Sequence, residues 1–170
     1  MTAEREAGPA LRALGTVVSA LSALAMGIAA ACLLISFALI GWAVVMRYVF
    51  NAAPVWVDEV VGFALVAIVL LAAAQTLRRG EHIGVDVLVS RLSERGQRWV
   101  RLCSALAVGA VAAILIVNGW GTAMFARMLG LVTEGSLEWP TWWLMLLMPI
   151  GGTLLALAAI EAFWRAAAGL

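Results

Sequence analysis

Four long stretches without a charged residue divide the chain: Ala13 to Met46 (34 residues), Val60 to Leu77 (18), Leu102 to Ala126 (25) and Trp139 to Ile160 (22). A hydrocarbon core of about 30 Å takes roughly 20 helical residues at about 1.5 Å each, so each of the last three runs fits one crossing and none could cross twice. The first run would reach roughly 50 Å as a helix. Its opening, Leu11 to Ser22, carries Gly15, Thr16, Ser19 and Ser22, so either it lies partly in the membrane interface or the helix tilts steeply. The pattern predicts an all-α membrane protein with four transmembrane helices at about 20–46, 60–77, 102–126 and 139–160, in a single integral membrane domain over 1–170.

Composition supports lipid as the solvent. The chain is 65% hydrophobic and 12% charged, with a mean hydropathy of +1.04, whereas soluble domains sit near 45–50% apolar and about 25% charged. A net charge of +1, from eleven arginines against ten acids, gives no reason to expect nucleic acid or a strongly acidic partner. A cleaved secretory signal is not expected. The first run is about twice a signal core in length, and Ala29 to Ala31 lead into more apolar sequence. Cys32 does not suggest a lipoprotein site, because Ala29 stands where such a site wants a branched aliphatic residue.

The arginines set the orientation. With four spans, both termini and the middle loop share one side, and they hold Arg5, Arg12, Arg78, Arg79, Arg91, Arg95, Arg98, Arg101 and Arg165, leaving Arg47 and Arg127 for the other. Loops rich in arginine stay cytoplasmic during insertion, so N- and C-termini in the cytoplasm are expected.

In the middle connection Val85, Leu88, Val89 and Leu92 form one helical stripe, with Asp86, Ser90, Arg91, Glu94, Arg95 and Arg98 turned elsewhere. One reading is a cytoplasmic amphipathic surface arm over about 83–92, ended at Ser93, whose hydroxyl caps a third helix starting near Glu94. The other is a single bent helix. The first outer connection places Arg47 at one helix end and Trp56, Asp58 and Glu59 at the next. Arg47 either pairs with Asp58 or Glu59 or snorkels to water and lipid phosphate. Trp56, Trp99, Trp139, Trp142, Trp143 and Trp164 fall near helix ends, where the indole prefers the interface, with Trp42 and Trp120 deeper. Small residues at every fourth position, Ser19-Ala23-Gly27-Ala31 and Ala105-Gly109-Ala113, offer close helix contacts.

Chemistry is sparse. One histidine and two isolated cysteines cannot ligate haem or zinc or run a thiol relay, so no cofactor, catalytic, substrate-binding or metal site is expected. No acid lies deep in a span, as a small proton-coupled exporter would require. Gln75 and Asn118 are the strongest polar groups in the spans and are expected to bond between helices.

The segment Arg47-Tyr48-Val49-Phe50 through Trp56-Val57-Asp58-Glu59, followed by Arg78-Arg79-Gly80-Glu81-His82-Ile83-Gly84-Val85-Asp86-Val87-Leu88, resembles the small membrane subunit of tripartite ATP-independent periplasmic (TRAP) transporters, the DctQ family. The likeness lies in an arginine-aromatic end to the first helix, a tryptophan and acid opening the second, a basic turn and a His-Ile-x-Val-Asp stretch. It implies an inner-membrane scaffold subunit without ATP, substrate or ion sites of its own. Its partners would be a separately encoded large multi-span transport subunit, which carries the sodium and solute sites and moves as an elevator, and an extracytoplasmic substrate-binding protein. The transported solute would be an organic or sugar acid, taken up by ion-driven symport. Structural or partner-interface roles fall on Arg47, Trp56, Asp58 and Glu59 at the outer junction and on Arg78, Arg79, His82 and Asp86 at the inner arm. For His82 a hydrogen bond that fixes the arm stands beside a solvated loop position. For Arg78 and Arg79 contact with lipid phosphate or the large subunit stands beside ordinary topology. Two alternatives to the scaffold are a self-contained, homo-oligomeric small transporter and an accessory subunit of another membrane complex.

Overall fold

The computed structural model describes residues 9–79 and 93–168. Among them the spans are carried by α1 (Pro9–Val49), α2 (Trp56–Arg79), α3 (Glu94–Met128) and the consecutive pair α4 (Thr141–Met145) and α5 (Leu147–Ala168). Four stretches, Ala13–Val49, Trp56–Arg78, Arg95–Met128 and Thr141–Ala167, are long and apolar enough to cross a membrane. The chain is therefore an all-α, multi-pass membrane protein. The predicted arm over 83–92 lies outside the described residues, with His82 and Asp86.

α1 is one unbroken helix of 41 residues, about 60 Å long at 1.5 Å per residue, so its opening is continuous with the span. Beside Leu14 and Met26, its sheltered positions are Gly15, Val18, Ser22, Ala25, Ala29, Cys32, Ser36, Leu39, Ala43 and Met46. They alternate three and four apart, the seam of a left-handed helix pair. Val18 packs on Ala74 of α2 and Ala158 of α5, and Ala25 and Ala29 pack with Leu71 of α2. The four-residue row expected in α1 is not a contact face among the described residues: Ser19, Ala23, Gly27 and Ala31 are all exposed. Steps of four drift by about 40° around a helix, while alternating steps of three and four hold one side. The same drift splits the row in α3, where Ala105 is buried, Gly109 half-buried and Ala113 exposed.

Ser93 starts α3 as the capping reading expects. Its backbone is extended (φ −61°, ψ 157°) and its hydroxyl accepts from the Gly96 N–H at 3.4 Å, so no helix runs through Ser93. At the other end Gly130 takes φ +62°. The Leu131 N–H returns to the Ala126 carbonyl at 3.0 Å and the Gly130 N–H to Arg127 at 3.2 Å, a glycine-ended helix stop. The last span breaks between Met145 and Leu147 because Pro149 has no N–H for the Met145 carbonyl four residues back.

α1 packs on α2, α2 on α5, and α5 on α3, with α1 also touching α5. Glycines allow the closest of these approaches. A Cβ at Gly119 of α3 would stand 2.7 Å from Pro149 Cδ and 2.8 Å from Met148 Cβ, and one at Gly151 would stand 2.7 Å from Leu70 Cβ and 3.1 Å from its carbonyl oxygen. α5 is thus the helix on which α2 and α3 both rest.

Candidate functional site

Polar side chains gather at the two ends of the bundle. At one end Glu161 of α5 is 3% exposed, two turns short of the helix terminus. Hydrocarbon offers no water to such a carboxylate, so it must be paired. Arg78 of α2 donates through Nε to Glu161 Oε2 at 2.8 Å and through Nη2 to Oε1 at 3.3 Å, a forked contact. The same Nη2 also donates to the Gly15 carbonyl of α1 at 3.3 Å. Arg165, one turn beyond Glu161, lies 2.8 Å from Oε1 through Nη2. Gly15 admits this arrangement, since a Cβ there would sit 3.2 Å from both Arg165 Nη2 and Glu161 Oε1. One carboxylate therefore ties α1, α2 and α5, while Arg98 of α3 donates to the Ala167 carbonyl of α5.

At the other end the connection after α3 folds on itself. The Thr133 N–H donates to Trp139 O at 2.9 Å, the Thr141 N–H to Leu131 O at 2.9 Å, and the Trp139 N–H to Thr133 Oγ1 at 3.0 Å. Its tip, Gly135-Ser136, rests on Glu59 of α2, whose Oε1 accepts from the Ser136 N–H at 2.6 Å and from its hydroxyl at 3.0 Å. A side chain at position 135 would occupy the space of that carboxylate, which explains the glycine. Trp42 of α1 meets Trp56 of α2 with ring centroids 5.8 Å apart, and Arg127 lies over the Trp142 ring at 5.2 Å.

These joints hold helices together. Among the described residues no three His, Cys, Asp or Glu side chains form a group able to hold a metal ion.

Residues 36–169 match the model of the family described as tripartite ATP-independent periplasmic transporters, DctQ component. The chain belongs to the DctQ family. It is 32% identical over 77 residues to the C4-dicarboxylate TRAP transporter small permease protein DctQ of Vibrio cholerae, covering 45% of this chain and 33% of that protein. It is 29% identical over 107 residues to the protein of the same name from Rhodobacter capsulatus, covering 63% of this chain and 47% of that one. The chain thus spans between a third and a half of the length of these DctQ relatives.

Of the residues singled out in this DctQ chain from sequence, Arg78 enters the three-helix joint and Glu59 the loop joint, while Trp56 meets Trp42. Arg47 and Asp58 are exposed. Of the two readings for Arg47, the pairing with Asp58 or Glu59 is not formed among the described residues: the Glu59 carboxylate is turned to Ser136 and its second oxygen is buried without a hydrogen-bond partner. Arg79 is the last residue of α2. Gln75 and Asn118 do not make the expected bonds: Gln75 Oε1 is buried without a partner, and Asn118 is exposed. Glu161 and Ser136 were missed. The signal for Glu161 was its spacing, an acid closing an apolar run with Arg165 four residues on. Ser136, whose partner is 77 residues away, left no local signal.

Proposed function

We propose that this chain is the small scaffold subunit of a binding-protein-dependent secondary transporter in the bacterial inner membrane. It braces a separate large multi-span transport subunit, and an extracytoplasmic binding protein delivers an organic or sugar acid for ion-driven uptake. The observation that carries this reading is the joint around Glu161, joined with membership in the family. The ionisable groups that enter the helix packing fasten helices to one another, which suits a frame against which another subunit moves. The names of both relatives favour a C4-dicarboxylate within the acid class. In this reading both termini are cytoplasmic, so the Glu161 joint faces the cytoplasm and the Glu59 joint faces out. Arg47, Trp56 and Asp58 then offer outer contacts to partners, and Arg79, His82 and Asp86 inner ones.

The test is affinity purification of the tagged chain from its native membrane in mild detergent, with mass spectrometry of stoichiometric partners. A large co-purifying membrane protein of many spans is the expected result. A lone homo-oligomer that drives gradient-dependent uptake in vesicles would overturn the scaffold in favour of a self-contained transporter.

A further inference from the structure

α2 and α3 both rest on α5, and between them runs a groove floored by Leu155, with Val69, Ala73 and Leu77 on one wall and Ala107 and Val108 on the other. Its one polar lining residue, Thr76, has its hydroxyl committed to the Ala72 carbonyl at 3.1 Å. The groove therefore offers a ligand hydrocarbon contact alone. Its volume is 480 Å³. From Val69 to Leu77 it runs about 12 Å at 1.5 Å per residue. Such a lining suits extended hydrocarbon chain. Its length also matches one leaflet of a bilayer whose hydrocarbon core is about 30 Å thick.

The groove ends at Leu77, beside the charged end of the bundle. Arg101 lies seven residues before Val108, two turns along the same face of α3 and about 10 Å nearer that end. It is exposed and forms no ion pair among the described residues, whereas Arg78 and Arg165 are engaged by Glu161. Apolar groove and exposed cation thus follow one another along α3 as acyl chain and phosphate follow one another in a phospholipid. We propose that this groove holds the acyl chain of one anionic phospholipid, drawn from the leaflet on the Arg78 side, with its phosphate held by Arg101. The inference is independent of the scaffold reading and requires only that the helices span a membrane.

The full chain, purified in mild detergent with whatever partner it keeps, is offered phosphatidylglycerol or phosphatidylcholine of matched chain length, and native mass spectrometry counts the lipid retained. One phosphatidylglycerol is expected, with a preference of about fivefold over phosphatidylcholine, the scale of one arginine's attraction to anionic lipid at a membrane surface. Arg101→Gln, an exposed change that leaves the helix packing alone, abolishes the preference. Ala107→Phe fills the groove and loses the lipid, while Val117→Phe, elsewhere on α3, retains it. Equal retention of the two lipids by the natural chain would overturn the proposal, as would an unchanged preference in Arg101→Gln. So would photo-crosslinking from position 108 to a protein rather than to lipid.

Discussion

Glu161 carries a charge that cannot be left alone, and its two partners are not equivalent. The Arg78 side chain is 19% exposed and that of Arg165 45% exposed, so the first contact is made in a drier setting. Removing one member of a buried pair leaves an uncompensated charge at a cost of about 3–5 kcal/mol, whereas exposed pairs contribute about 0–1 kcal/mol. Glu161→Gln and Arg78→Gln are therefore expected to destabilise the bundle by several kcal/mol and Arg165→Gln by under about 1 kcal/mol. Unfolding in mixed micelles titrated with a denaturing detergent measures the order. Equal losses for Arg78→Gln and Arg165→Gln would refute this ranking. Glu59 acts on a backbone instead: its carboxylate receives the Ser136 N–H at 2.6 Å. Glu59→Ala should speed hydrogen exchange at Ser136 while leaving the amides in the middle of α2 unchanged. Protection at Ser136 equal to that of the natural chain would mean that the loop holds its own shape.

Between elements, glycine decides how near two helices come, and not every glycine is used this way. Gly119 and Gly151 face atoms closer than a Cβ tolerates, while Gly121 faces open space. Gly119→Ala and Gly151→Ala should each cost about 1–3 kcal/mol, the range for overpacking. Gly121→Ala should be neutral or stabilise by up to about 1 kcal/mol, since alanine is the better helix former. The same detergent titration reads all three. The four spans and the capped start at Ser93 were legible because each depends on local composition: a run long enough to cross, or a serine ahead of a helix. The helix faces were not. The seam of α1 is mostly small residues, as is the row Ser19-Ala23-Gly27-Ala31, and in lipid an inward face gains nothing from being more apolar than an outward one. The joints were half legible for a related reason. Arg78 and Glu59 stood out as charges beside apolar runs, but Gly15 contributes through a carbonyl that every residue possesses, and Ser136 through its N–H and a hydroxyl in a loop far along the chain from its partner.

For the molecule as a whole, the helices are tied at both ends and the ties differ in kind. One end uses arginines on a carboxylate and a carbonyl; the other uses a folded loop, aromatic rings and a single acid. The difference follows the uneven distribution of arginine, with nine on one side of a four-span arrangement and two on the other. Because arginine-rich segments resist translocation, in the proposed topology the bias that orients the chain also supplies the cations that close the Glu161 end. In this account orientation and packing are set by the same residues, which gives a test of the topology. With Cys32 and Cys103 replaced by alanine, a cysteine at Glu134, in the loop near Ser136, should react with a membrane-impermeant maleimide added to intact spheroplasts. One at Ala167 should react only after the membrane is opened or inverted. Both positions are exposed, so a failure to label in either preparation cannot come from burial in the fold. Labelling of Ala167→Cys from outside would place the Glu161 joint on the extracytoplasmic surface and overturn the proposed topology.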